Sequence, residues 1–437
     1  MRQRVRSFQL AASIGMLLAA ALAAGCSGAS TDVMANSAAA NPTPNSTSPN
    51  GAPPAVAQAQ SAGTAVNPAI VAADNAFGLN LFQTLVSGAS GNVAISPINV
   101  AMALQILYNG AAGGTQQAMA NTLQLGAMSA QDLNDANAAL QGSLMKADPN
   151  VQITIANSLW LHLSNTPVLP SFTSMDETYY GATVGDLSGA PANVNNWVST
   201  ETNGLITQIL PSGVNYAGVT AVLANVIYFK GQWSAAFDPA QTQSETFTLS
   251  DGTASSAQMM HESGSFEHLA GSNFQAVRLP YGQGRLSMLI LLPNAGVTLS
   301  SFIAGLTLDT MNGWIGQLQS GFGSVALPKF TATYSVSLPP ALTALGMGSP
   351  FCSSGSADFS ALASQPTCVS DVEHKTVVEV DESGTVAAGA TSIIVSPVAV
   401  AEPMFTITMD HPFLYAILDD QTGEWLFIGA MANPGAG

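Results

Sequence analysis

Residues 374–401 read HKTVVEVDESGTVAAGATSIIVSPVAVA. The stretch opens as a strand, with β-branched residues through Val380, and then changes character. From Gly384 to Ala401 there is no charge, β-formers accumulate toward the end, and no strong turn residue precedes Pro397. With a period of two, Thr385, Ala387, Gly389, Thr391, Ile393 and Val395 share one face, and Val386, Ala388, Ala390, Ser392 and Ile394 share the other. Two readings follow. One is a surface loop or ordinary edge strand. The other is a loop able to become a central strand, its small leading residues slipping between two strands already in place. At about 3.3 Å per residue, Thr385 to Val398 would span roughly 45 Å, enough to traverse a domain.

The flanking sequence supplies a domain to traverse. Asn67-Pro68 forms a cap and first helical residue, with Phe77, Leu81, Phe82 and Leu85 following at helical spacing. Ser96-Pro97 precedes a second apolar helix, Val100 to Leu107, ended by Gly110. Val219 to Phe229 and Leu286 to Leu292 are nearly continuous apolar runs and read as buried strands. Val369 to Val380 carries another strand, and Phe405 to Ala430 two more around Thr422-Gly423. Helices concentrate early and strands late, which predicts an α+β domain. No second linker, repeat or run of like charge interrupts residues 67–437.

Composition narrows the function classes. The chain has 437 residues, 47% hydrophobic and 8% charged, ample for a large core. It carries 9 Lys and Arg against 26 Asp and Glu, a net charge of −17. Arg2, Arg4 and Arg6 lie in the first six residues, leaving the rest with six scattered cations. A phosphate-binding surface needs clustered ones, so nucleic-acid binding is excluded. The basic start, the apolar run Leu10 to Ala24 and small residues before Cys26 form an export signal. Leu22-Ala23-Ala24-Gly25-Cys26 resembles a bacterial lipobox, although Ala23 stands where that motif usually carries Leu, Val or Ile. The expectation is a signal peptide over 1–25, a lipid on Cys26 that holds the protein to a membrane, and a flexible Ala/Ser/Pro/Asn-rich tether over 26–66. An exported, lipid-anchored protein of the outer membrane or cell surface follows, with Ser27 resembling an outer-membrane sorting residue.

Cys352 and Cys368 then face oxidising conditions. A bridge between them would close a loop of the size worth ~3 kcal/mol, and two unpaired buried cysteines are the alternative. Enzyme signatures are missing: there is no GxSxG, P-loop, HExxH, CxxC or Cys/His metal cluster. His261 and His268 lie in a polar stretch that reads as a solvated loop. Neither cofactor nor metal is expected.

Residues 382–391, ESGTVAAGAT, resemble the reactive-loop hinge of inhibitory serpins. Asn92 to Pro97 with Gly110 to Thr115 is similar to that family's second-helix signature, and Leu223 to Trp233 to its strand-and-breach motif. Leu279-Pro280-Tyr281, Leu327 to Phe330, Leu345-Gly346-Met347, Ala357 to Ser360, His374-Lys375-Thr376 and Asp410 to Phe413 follow in family order. The resemblance spans about residue 68 to 434. It implies a single serpin domain of about nine helices and three sheets with an exposed bait loop, acting as a monomer and not as an enzyme.

The implied activity is suicide inhibition. A target serine protease, or a cysteine protease, attacks the loop and is carried off as its acyl-enzyme when the loop inserts. Family spacing from Glu382 puts the reactive bond at Val398–Ala399, with Val400 and Ala401 as alternative bait residues. All are small and aliphatic, which points to elastase-like or subtilisin-like targets. The resemblance assigns the hinge to Glu382, Gly384, Thr385, Ala387, Ala388, Gly389 and Ala390. It assigns the breach to Lys329 and Trp233, and a polar shutter cluster to Ser96, Asn225 and His374. Asn99, Leu205 and Val386 depart from the family's usual serine, lysine and glutamate. A hinge that is small and uncharged favours an inhibitor, and a non-inhibitory binding protein is the alternative.

Overall fold

A computed structural model describes residues 65–385 and 403–436. Cys26, the tether, and the loop positions Ala387, Ala388, Gly389, Ala390, Val398, Ala399, Val400 and Ala401 lie outside the described residues. Among the described residues there are nine α-helices and fifteen strands, the α+β class expected.

The first half runs α1 (Pro68–Ser87), β1 (Val93–Ile95), α2 (Pro97–Gly110), α3 (Gly113–Thr122), α4 (Ala130–Leu144), β2 (Val151–Leu161), α5 (Pro170–Tyr179), β3 (Thr183–Asp186) and α6 (Ala192–Glu201). Strands then dominate: β4 (Ala221–Gln232), β5 (Gln243–Thr248), β6 (Ala254–Ala270), β7 (Phe274–Tyr281) and β8 (Leu286–Pro293). After α7 (Leu299–Ala304) and α8 (Leu308–Ile315) come β9 (Gln319–Pro328), β10 (Phe330–Ser337) and α9 (Pro339–Ala344). The chain closes with β11 (Asp371–Asp381), β12 (Gly384–Thr385), β13 (Phe405–Thr408), β14 (Phe413–Asp419) and β15 (Glu424–Met431).

The local signals act as expected at the start of α1. Asn67 caps α1, its Oδ1 accepting from the Ala69 N–H at 3.0 Å, and Pro68 opens the helix. Helix α1 is long and apolar enough to cross a membrane, but Ile70, Phe77, Leu81 and Phe82 are wholly buried in the core. The strand β8 is buried at every position, as its unbroken apolar run requires.

The strands form two hydrogen-bonded sheets where the family resemblance counts three. One has nine strands, in the order β1-β15-β14-β8-β7-β6-β9-β13 with β5 on β6. Its two halves are continuous because β6 is 17 residues long, pairing with β5 and β9 along its length and with β7 at its far end. The other has six strands, in the order β10-β11-β12-β4-β2-β3. One face of the six-stranded sheet lies on the main core. The other is covered by a smaller cluster in which Val194 and Val198 of α6 pack with Trp160, Val222, Ala224 and Val226.

Two expectations change here. His261 and His268 are not in a solvated loop but in β6: His261 Nε2 lies 2.6 Å from Glu245 Oε1, and the His268 ring stacks on Phe405 at 3.8 Å. The run His261 to Ser265 within β6 carries no apolar residue and so no alternation, and periodicity misses it. Cys352 and Cys368 are joined as a disulfide, with Cys352 exposed and Cys368 half-buried, so the unpaired buried pair is ruled out.

Candidate functional site

The seam between β4 and β11 is the centre of the six-stranded sheet, and it is only partly closed. The two strands pair in parallel from Asp371↔Val222 to Lys375↔Val226, and the ladder stops there. At its upper end β12 sits between them, with Thr385 opposite both Val380 and Gly231 and Gly384 opposite Asp381 and Gln232. The first residues of the loop are already in the sheet.

Local sequence produces this re-entry. Asp381 Oδ1 accepts from the Ser383 N–H at 2.8 Å, the Ser383 hydroxyl at 3.0 Å and the Gly384 N–H at 3.2 Å. This Asx-type cap reverses the chain at Glu382-Ser383, making β12 antiparallel to β11. Gly384 has φ +152°, and a Cβ there would collide with the Gly231 carbonyl. Glycine alone fits so close a backbone approach at that φ. The turn went unread in the sequence, although Asp381 followed three residues later by Gly384 is its signal.

Around the turn, side chains bind the hinge to the sheet top. Lys329 Nζ donates to Glu382 Oε2 at 2.6 Å, and the Thr242 hydroxyl to Glu382 Oε1 at 2.7 Å. Burial alone would raise the Glu382 pKa, but these hydrogen bonds and the lysine charge outweigh it and hold the carboxyl below its ordinary range. Trp233 is buried; its indole N–H donates to the Asp381 carbonyl at 2.9 Å, and its backbone N–H to the Ser383 carbonyl at 2.9 Å. Its ring stacks on Tyr281 at 4.4 Å, and the Tyr281 hydroxyl lies 2.7 Å from the Thr385 hydroxyl. A cavity of about 450 Å³ opens beside the ion pair, lined by Thr242, Gln258, Lys329 and Glu382 among others. Thr242, Tyr281 and Asp381 thus join the assigned Lys329, Trp233 and Glu382. Tyr281 stands in the quoted Leu279-Pro280-Tyr281 motif without an assigned role, and Thr242 and Asp381 were not singled out because one reaches the turn from far in the sequence and the other acts through the turn itself.

Midway down the seam, where the parallel ladder ends, is a buried polar cluster. His374 and Asn225 face each other across it, His374 Nδ1 2.6 Å from Asn225 Oδ1. The His374 Nε2 accepts from the Ser96 backbone N–H at 3.2 Å, so Nδ1 carries the proton and donates to Asn225. Complete desolvation pushes the His374 pKa down to about 3, keeping the ring neutral. Thr376, one step along the same face, donates to the Ala94 carbonyl at 2.6 Å. Ser96 therefore joins through its backbone, and its hydroxyl has no partner, nor does the Asn99 amide beside it in α2. The cluster can tie two strands together and to the core.

Comparison with known proteins agrees with this geometry. The family model described as serpin (serine protease inhibitor) matches residues 72–434. Human Serpin B9 is 32% identical over 374 residues, covering 83% of this chain and 98% of that protein. A leukocyte elastase inhibitor of Xenopus laevis is 32% identical over 373 residues, covering 82% and 97%. Among solved structures, the thermophilic serpin tengpin in its native state aligns with a TM-score of 0.78 at 27% identity, covering 85% of this chain and 95% of its own. Human thyroxine-binding globulin complexed with thyroxine aligns at 0.76 and 26%, covering 84% and 100%. The chain belongs to the serpin family, whose members include named protease inhibitors.

Proposed function

We propose that this protein is a suicide-substrate inhibitor of serine proteases with a preference for small aliphatic residues, elastase-like or subtilisin-like. The observation that carries this reading is the seat of Thr385 between β4 and β11, above a seam held by five residue pairs. A strand that has begun to enter needs only a free end to continue.

Protease attack supplies that end. The protease serine hydroxyl adds to the Val398 carbonyl, the Ala399 amine leaves, and an ester joins Val398 to the enzyme. Residues from Val386 onward then follow Thr385 into the seam, adding hydrogen bonds on both sides as the pairs below part. The ester travels with them and is pulled from the geometry its hydrolysis needs. The small side chains from Ala387 to Ala390 suit entry between strands, and Val398, Val400 and Ala401 suit a shallow apolar specificity pocket. The similarity to a leukocyte elastase inhibitor is consistent with that target class.

The test is a denaturing gel with mass spectrometry after mixing the protein with an elastase-like protease. A covalent complex with its junction at Val398–Ala399, or a neighbouring bond, is expected; complete loop cleavage with no complex, by several proteases of this preference, would reject inhibition. The similarity to thyroxine-binding globulin supports a second reading, a non-inhibitory serpin that carries a ligand. The lipobox-like run ending at Cys26 supports export and lipid anchorage at an outer membrane or cell surface. Detergent-phase partitioning should be lost in Cys26→Ser.

A further inference from the structure

The upper end of the β4/β11 seam is wedged by the hinge, and its lower end is stapled. Three successive residues do the stapling. Cys368 is bonded to Cys352. Val369 exchanges backbone hydrogen bonds with the segment before it, Cys352 N–H to the Val369 carbonyl at 3.0 Å and Val369 N–H to the Pro350 carbonyl at 3.0 Å. Ser370 then binds β4, its N–H donating to the Ala221 carbonyl at 2.9 Å and its hydroxyl accepting from the Thr220 N–H at 2.9 Å. Cys352 Sγ lies 3.5 Å from that same hydroxyl. The far side of the staple is anchored by Phe351, which is buried in the main core. A strand running the full length of the seam must part Asp371 from Val222, the pair next to the staple.

We propose that the Cys352–Cys368 disulfide is a redox-controlled latch on the lower end of this seam, opened by a dithiol reductant. Cys352 is exposed and Cys368 half-buried, so the attacking thiolate reaches the Cys352 sulfur. A mixed disulfide forms there, the Cys352–Cys368 bond breaks, and Cys368 leaves as a thiolate that takes a proton. The reductant's second thiol displaces Cys352, which also leaves as a thiol, and the reductant departs as its own disulfide. Without the staple, the lower end of β11 is held to the core by backbone hydrogen bonds and the burial of Val369, and it separates from β4 more readily. The significance of the latch rests on the loop-insertion reading above.

The experiment is hydrogen exchange on the full chain, folded first and then treated with dithiothreitol, with reoxidised protein as the control. Amides of Val372 to Lys375 and Val222 to Val226 should exchange about tenfold faster after reduction, while those of Leu414 to Leu418 stay unchanged. Ser370→Ala, with the disulfide intact, should speed the same lower-seam amides by a smaller factor. The double variant Cys352→Ser/Cys368→Ser should reproduce the reduced protein, and reduction of the folded wild type gives the answer should that variant not fold. Unchanged lower-seam exchange, or an equal rise in β14, overturns the latch. Protease-trapping assays on both forms separate the two ideas. Lower-seam exchange that responds with no protease trapped by either form sinks the inhibitory reading and leaves the latch; trapping with unresponsive exchange sinks the latch alone.

Discussion

Strands β15 and β11 lie in different sheets and differ in burial. Every residue of β15, from Glu424 to Met431, is buried, whereas β11 alternates between half-buried and buried along its whole length. The first is clamped between β1 and β14 in the main core. The second rests on the core with Val372, His374, Thr376, Val378 and Val380, and turns Glu373, Lys375 and Glu379 outward. A strand buried on both faces moves only by breaking the core. One buried on its core face and half-buried on the other, where Val377 meets the α6 cluster, gives up less buried surface when it shifts sideways as part of a layer. The fold thus puts its most deeply buried strand in one sheet and, on the inhibitory reading proposed above, the point of strand entry in the other.

The sharpest break in that contrast would come from the hinge. Thr385 is 1% exposed and hydrogen-bonded to Tyr281, so Thr385→Arg forces a guanidinium into the seam or expels the hinge from it. An unpaired buried charge at this point costs at least about 3 kcal/mol, so the fraction of encounters ending in a trapped protease should fall roughly 100-fold. Denaturing gels would show cleaved loop in place of complex. Wild-type trapping in this variant would mean that entry at Thr385 is not required.

The sheet that holds β15 has its own weakness, in titration. Asp74 of α1 is wholly buried, and desolvation pushes its pKa up to about 8 against the hydrogen bond from Gln105. Glu424 at the start of β15 is raised as well, by desolvation and by the nearby Asp74 and Asp419, and neither of its oxygens has a partner. Between the ordinary aspartate pKa of 3.8 and about 8, the folded chain holds a proton on Asp74 that the unfolded chain has lost. Stability therefore falls as pH rises through that window, by up to about 1.4 kcal/mol per pH unit. Asp74→Asn should flatten the slope and raise Tm at pH 8 relative to the parent, as thermal melts from pH 5 to 8 would report. An unchanged slope would place the titrating group elsewhere.

Smaller effects sharpen the picture of the seam. His374→Ala leaves the Ser96 N–H and the Asn225 side chain without their partner, for a loss of about 3 kcal/mol and roughly 5 °C in Tm. The folded ring stays neutral down to about pH 3 while the unfolded side chain takes up a proton below its ordinary 6.5, so the parent loses stability as pH falls below 6.5 and the loss in His374→Ala should be largest at pH 8 and shrink toward pH 5. The Lys329–Glu382 pair is the least costly to remove for stability. Lys329 is 39% exposed at its side chain, so Lys329→Ala should shift stability by no more than about 1 kcal/mol. A change in trapping yield larger than that in stability would mark the pair as a control on hinge release.

Much of this arrangement was legible in the residues. The Asn67-Pro68 start, the apolar runs of β4 and β8, and the uncharged stretch after Gly384 are local signals, and local chemistry decides each of them. The tail was underread: Phe405 to Ala430 holds three strands, because β13 is only four residues long. The Asp381 cap was missed although its residues are adjacent, since a single side chain turning the chain leaves no periodicity to detect. The histidines of β6 escape for a different reason, since the polar run His261 to Ser265 shows no apolar alternation.

Composition and order of residues, taken alone, determined an α+β domain, the serpin resemblance and a loop of small uncharged residues suited to enter a sheet. These depend on hydrophobic period, turn chemistry and side-chain size, which are properties of short segments. Tertiary structure alone decided that Cys352 is bonded to Cys368 and that Glu382 finds both Lys329 and Thr242. It also decided that His374 faces Asn225 and that Thr385 already lies between β4 and β11. The side-chain contacts among these, with that of Thr385 to Tyr281, join groups 53 or more residues apart at distances set by strand register, whereas the disulfide and the pairing of Thr385 with Val380 close shorter loops. Register emerges only when whole sheets bury their faces together, so no window of sequence contains it.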